Sequence, residues 1–270
     1  MLAQRLITAA VLIPFLLAAI FLLPIAWFLL LTAALTLWAG WEWSSLMQIQ
    51  KTRWRWCYLL ILLCCMVALL LAPSFSLYLV VFIWWLAAAL YVFTYPKTSA
   101  WWRTSFFWRG IMGILVLAPC FTAINYIRNQ EEGAYPLLFL LILIWSADSA
   151  AYFIGKKWGT RPLAPKVSPG KSWQGVGGAL AAALVVAIGM LTLCHIPLKE
   201  WPWGIALSFI TVAFSIVGDL FESMLKRAAG VKDSGRLLPG HGGLLDRIDS
   251  LTAAAPIYTF GALLLGMYVG

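Results

Sequence analysis

The run SMLKRAAGVKDSGRLLPGHGGLLDRID, Ser223 to Asp249, decides how the rest of this chain is read. It gathers five of the nineteen Lys and Arg, three of the ten acids and one of the two His, and Asp219 and Glu222 stand just upstream. Apolar segments long enough to cross a bilayer enclose it on both sides. A chain that avoids charge elsewhere concentrates it here, so the chemistry is expected here.

The surroundings of this polar island are lipid-like. Apolar residues make up 63% of the 270, charged residues only 11%, and the mean hydropathy is +0.90, far outside the composition of soluble domains. Repeated apolar runs match the roughly 20 residues needed to span about 30 Å of hydrocarbon. The net charge of +9 does not indicate nucleic acid, because the basic residues fall in short loops between apolar runs and not on one continuous face. Many of the sixteen Trp lie near span ends, where their amphipathic rings suit the headgroup layer. Cys57, Cys64, Cys65, Cys120 and Cys194 lie in or beside apolar segments without CxxC or Cys/His spacing, and are read as buried hydrophobes. Arg5 precedes a long apolar run without a small-residue cleavage site, which reads as an uncleaved first span.

Hydropathy places spans at about 6–23, 25–46, 57–72, 75–93, 110–127, 136–154, 176–193, 205–220 and 251–268. The expected fold is an all-α integral membrane protein of about nine transmembrane helices, forming one polytopic domain over 1–270. With the N-terminus cytoplasmic, 17 of the 19 Lys and Arg fall on that side and only Arg128 and Lys199 on the other, a strong positive-inside asymmetry. The C-terminus is then on the opposite side, and two polar loops, 155–175 and 223–249, share the cytoplasmic face. Residues 136–270 are read as catalytic spans and loops, and 1–135 as scaffold or oligomer interface. Gly177 and Gly178 are expected to allow close helix packing.

Asp148, Asp219 and Glu222 are carboxylates within or at the ends of apolar helices, where an ionised acid is costly without a partner or wet cavity. On a helix, Asp219, Glu222, Ser223 and Lys226 share one face, and Asp246 and Asp249, three apart, are expected to point the same way. Acids without a His/Cys ligand set favour a hard, oxygen-loving cation, magnesium first. Lys226, Arg227, Lys232, Arg236 and Arg247 in one loop, with Lys156, Lys157, Arg161, Lys166 and Lys171 in the other, suit phosphate oxygens. Gly235, Gly240, Gly242 and Gly243 let backbone N–H groups approach an anion, with His241 among them. Acids for a metal, cations for phosphate and a glycine-rich loop are the parts of phosphoryl or nucleotidyl transfer. A multi-span transporter of a phosphorylated or anionic solute is the rival reading, although its essential charges should lie near the midplane between interrupted helices.

The spacing S-x-L-K-R-x4-K-D-x-G-x2-L-P-x-H-G-G-x2-D-R-x-D over 223–249 resembles the signature of the phosphatidate cytidylyltransferase (CDP-diacylglycerol synthase) family. The resemblance extends to GDLFES (218–223), SADSAAYFIG (146–155) and SPGKSWQG (168–175). It implies transfer of CMP from CTP to phosphatidic acid in phospholipid biosynthesis, with CDP-diacylglycerol and pyrophosphate as products and the site facing the cytoplasm of a bacterial inner membrane. It further implies a magnesium requirement, with a second monovalent or divalent cation as a candidate. Metal binding would fall to Asp219 and Asp246, with Asp148 and Asp249 as further candidates. Lys226, Arg227, Lys232 and Arg247 would hold phosphates, and Ser223 and His241 would orient them. Asp233, Lys171, Gly242 and Gly243 complete the expected substrate site. The expected partners are CTP, phosphatidic acid and membrane lipids, with no nucleic acid and with a homodimer through the N-terminal spans as the candidate assembly.

Overall fold

The computed structural model describes residues 2–72, 74–97, 99–235 and 242–267. Nine of its helices have 20 residues or more among these: α1 (Leu2–Leu22), α2 (Ile25–Leu46), α3 (Thr52–Leu71), α4 (Phe75–Thr94), α6 (Phe106–Arg128), α7 (Ala134–Trp158), α8 (Trp173–Leu193), α9 (Trp201–Ala229) and α10 (Leu245–Leu264). A short helix, α5 (Ser99–Arg103), precedes α6. Seven of the nine, α2, α3, α4, α6, α7, α8 and α9, are long and apolar enough to cross a membrane. The other two occupy expected positions: α1 contains the apolar stretch Leu12–Leu22, and α10 carries Asp246, Arg247 and Asp249 in its first five residues.

Three helix boundaries differ from expectation by five residues or more, for one reason. The helix expected to stop near 220 continues to Ala229, and that expected to begin near 251 begins at Leu245. The third span starts at Thr52, not 57. Hydropathy registers only the apolar part of a helix, whereas the backbone hydrogen bonds continue through polar turns. Much of the Ser223–Asp249 island is therefore helical. Gly230, at φ 75°, ends α9, with its N–H donating to the Arg227 carbonyl and that of Val231 to the Lys226 carbonyl, the closing pattern that favours glycine.

The expected 155–175 loop is also more ordered than its composition indicates. α7 runs to Trp158, and then β1 (Pro162–Ala164) pairs antiparallel with β2 (Ser168–Ser172). Ser172 ends β2 and caps α8, its Oγ accepting from the Gly175 N–H at 3.1 Å. The strand thus hands directly to a helix, which fixes Lys171 beside the α7–α8 packing.

α6 is the central helix, with 72% of its apolar window buried against 22–44% for the other six. It packs on α2, α3 and α10. One core joins α2, α3, α4, α6, α9 and α10 around Trp43, Trp85, Leu62, Leu117 and Phe221, and a smaller one joins α7, α8 and α9 around Leu143, Ala147, Ala179, Ala183 and Val212. Gly178 is needed for the close α7–α8 approach, because a Cβ there would lie 2.6 Å from Ile154 Cδ1. Gly177, expected to share this role, has open space around it.

The two glycines therefore separate in a thermal-denaturation experiment in detergent. Gly178→Val should cost about 1–3 kcal/mol through overpacking. Gly177→Ala should be neutral or stabilise by up to about 1 kcal/mol, as expected for glycine to alanine in a helix interior.

Candidate active site

The site forms at one end of the helix bundle, from the C-terminal parts of α2, α7 and α9, the β2 strand and the start of α10. Asp148 and Asp219 lie ten residues before the ends of their helices, a depth of about 15 Å along the axis. Gly218 allows α9 and α10 to touch, since a Cβ there would stand 2.6 Å from the Asp249 carbonyl oxygen. That close approach brings Asp219 beside Asp249.

Two charged groups result. In the first, Lys171 of β2 pairs directly with Asp219, and Ser223 Oγ donates to the other Asp219 oxygen at 3.3 Å. Asp148 and Asp249 are both electrostatic neighbours of Asp219 and of Lys171. Ser250 links them: its Oγ donates to Asp148 at 3.3 Å and its N–H to Asp249 at 2.7 Å. Three carboxylates therefore share this corner with one ammonium.

In the second group, Lys226 Nζ lies 2.6 Å from Asp246 Oδ1 and 3.0 Å from Glu222 Oε1, with all three side chains buried. The other Asp246 oxygen accepts from the Ser234 N–H at 2.9 Å, Ser234 Oγ at 3.0 Å and the Gly243 N–H at 2.8 Å. Charge-assisted bonds of this kind are the strong ones. They bring Ser234 and Gly243 onto Asp246, with Gly242 at φ 82° just before Gly243.

The expected site residues thus divide. Asp219, Asp148, Asp249, Ser223 and Lys171 meet in one group, and Asp246, Lys226 and Gly243 in the other. Asp246 and Asp249 share the first turns of α10 but engage different groups. Arg227 is exposed, its Nε donating to the Val167 carbonyl of the hairpin at 3.4 Å. Lys232 and Asp233 are exposed on the segment after Gly230, and Arg247 is exposed on α10. Arg236, Gly240 and His241 lie outside the described residues. Of the hairpin-side cations, Lys171 reaches the acids, whereas Lys156 and Lys157 lie over the rings of Tyr152 and Trp158.

Sequence reasoning missed three residues: Ser234 and Ser250, which bond the expected acids, and Glu42. Glu42 of α2 is 5% exposed; its Oε1 accepts from the Leu244 N–H at 3.0 Å, and its Oε2 from the Leu245 N–H at 2.8 Å and Ser234 Oγ at 3.0 Å. A helix of the first 135 residues therefore supplies part of the site. The available signal was a lone acid, in WEWSS, near the end of an apolar span, the same criterion that singled out Asp148.

All the convergent donors are oxygens, which suits a hard cation. Among the described residues, no three acidic, His or Cys side chains close a metal shell by themselves.

Fold and site together define a multi-helix membrane protein with carboxylates and cations interleaved at one end of its helices. The chain belongs to the cytidylyltransferase family, whose model matches residues 3–264. It is 42% identical over 261 residues to the phosphatidate cytidylyltransferase of Pseudomonas aeruginosa, covering 96% of each chain. It is 38% identical over 283 residues to that of Haemophilus influenzae, covering 96% of this chain and 98% of the relative. The Bacillus subtilis enzyme of the same name aligns at 39% over 150 residues, 55% of each chain.

Three carboxylates facing Lys171, with Lys226 a further cation near Asp249, make the first group a stability–function compromise. Asp148→Asn keeps an acceptor for Ser250 and removes one charge. It should raise the unfolding free energy by about 1 kcal/mol in detergent melts while lowering turnover; a lower melting temperature would contradict the repulsion described.

Proposed function

We propose that this protein is a phosphatidate cytidylyltransferase, transferring CMP from CTP to phosphatidic acid. The observation that carries the substrate assignment is a cavity of about 210 Å³ between α1, α2, α6, α7 and the start of α10. Its walls are apolar along Leu16, Leu35, Ile124 and Leu141, and it ends at Asp148, Arg247 and Asp249. Such a space suits an amphiphile whose tail lies in the apolar part and whose phosphate reaches the charged end.

In this reading the Arg247 guanidinium holds the lipid phosphate, and Arg227, Lys232 and Lys171 hold the CTP phosphates from the water side, while buried Lys226 holds Asp246 in place. A phosphate oxygen of the lipid attacks the α-phosphorus of CTP. The bond from that phosphorus to the β-phosphate bridging oxygen breaks, pyrophosphate leaves with the electron pair, and CDP-diacylglycerol remains. A phosphate monoester is already a competent nucleophile, so the chain needs to position and neutralise, not to activate a side chain. Magnesium held by Asp219 with Asp148 or Asp249, and a second cation at Asp246, would supply charge neutralisation at the phosphate oxygens. Ser223 keeps Asp219 oriented, and the Ser234 and Gly243 N–H groups keep Asp246 oriented. The positive-inside charge distribution supports a cytoplasmic site.

Purified protein supplied with CTP, phosphatidic acid and magnesium should release pyrophosphate and form CDP-lipid, and chelation should stop both. Uptake of solute into vesicles without product would favour a transporter instead. Asp246→Asn should reduce turnover by about 10³-fold or more, on the scale of losing a preorganised catalytic group, in protein that still elutes as folded material. Lys199, 81% exposed in its side chain, lies in the 3-10 turn Leu198–Glu200 just before α9, twenty residues and about 30 Å from Asp219 along the helix direction. Lys199→Ala should leave kcat and KM unchanged.

A further inference from the structure

We infer that Glu42 is a positioning residue for the transfer reaction, holding the two ends of the 234–245 segment so that Asp246 and Ser234 keep their places; this rests on the cytidylyl-transfer reading. Glu42 stands about 200 positions from the groups it binds, on a helix whose composition alone marks it as scaffold. Its own position is fixed. Trp43 Nε1 donates to the Arg109 carbonyl at 2.9 Å, and Arg109 Nη1 donates to the Leu46 carbonyl at 3.0 Å, so the end of α2 is locked to the start of α6.

Three features separate this arrangement from ordinary packing. First, helix N-termini leave several N–H groups without intrahelical partners, and a residue at the cap usually satisfies them. Leu244, at the cap of α10, supplies no side-chain bond. Glu42 takes that role from another helix, at the desolvation cost of a buried acid and with a favourable helix dipole.

Second, Ser234 Oγ lies 3.0 Å from both Glu42 Oε2 and Asp246 Oδ2. A hydroxyl has one proton to donate, so it is shared between the two carboxylates. The place of Asp246 is thereby tied to Glu42 through a single bridging group.

Third, Glu42 accounts for two glycines of the loop. A Cβ at Gly243 would meet Ser234 Oγ, the Glu42 carboxylate and the Gly235 nitrogen, and the three atoms nearest a Cβ at Gly235 all belong to Glu42. These glycines make room for the carboxylate, and the Gly243 N–H itself reaches the Asp246 carboxylate at 2.8 Å.

Glu42 does not touch the reacting atoms in this scheme, so its loss should act on turnover more than on substrate binding. The test measures kcat and KM for CTP, with hydrogen exchange at the Leu244 and Leu245 amides, in wild type, Glu42→Ala, Gly235→Ala and the double variant. Each single variant should lower kcat about tenfold or more with KM within about threefold and should lose protection at those two amides while the other helices exchange as in wild type. Because the atoms nearest a Gly235 methyl all belong to Glu42, the double variant should be no worse than Glu42→Ala. Losses that multiply, a Glu42→Ala protein with wild-type kcat, or lost protection spread over the whole chain would each overturn the inference. A wild-type protein that makes no CDP-lipid would count against the cytidylyl-transfer reading, and the exchange data would still decide whether Glu42 holds the segment.

Discussion

A single ammonium group between two buried carboxylates is the interaction on which the rest of the site depends. Lys226 lies between Glu222 on its own helix and Asp246 on the next. Removing one partner from such a buried arrangement leaves an uncompensated charge, which costs several kcal/mol. Asp246 repays part of its own desolvation through the Ser234 and Gly243 donors. Glu222 Oε2 has no hydrogen-bond partner among the described residues, so Lys226 is its principal compensation. The ion pairs bind the end of α9 to the beginning of α10.

The clasp also sets the relation between the two charged groups. With α9 and α10 joined, and with Gly218 permitting contact, Asp249 stands beside Asp219, and Lys171 arrives from β2. The α7–α8 pair carries the hairpin and presents Asp148 from the opposite wall. α2 closes the arrangement through Glu42. Apolar packing of α6 against its neighbours supplies the frame; the charges determine which helix ends meet at the water side. A site built this way faces an aqueous loop on one side and an apolar cavity on the other, as a reaction between a soluble nucleotide and a lipid requires.

Much of this was legible in sequence because lipid imposes simple rules. Every long helix falls where hydropathy placed it, and acids such as Asp148 and Asp219 stood out against apolar surroundings. The helical spacing of Asp219, Ser223 and Lys226 was correctly taken as one face. The helix ends at Ala229 and Leu245 were not legible, since polar helical turns carry no hydropathy signal. The β1–β2 hairpin was hidden by Pro and Gly in strands too short to show alternation. Glu42 was passed over because its partners are backbone N–H groups about 200 residues away, and no local pattern encodes them.

The most direct measurement is a double-mutant cycle on Lys226→Met and Asp246→Asn, read as unfolding free energy in detergent. If the buried clasp organises the site, the two substitutions should be coupled by about 2 kcal/mol or more, the double variant being far less destabilised than the sum of the singles. Additivity to within about 0.5 kcal/mol would mean that α9 and α10 are held together by apolar packing alone, and the account would be wrong at its centre.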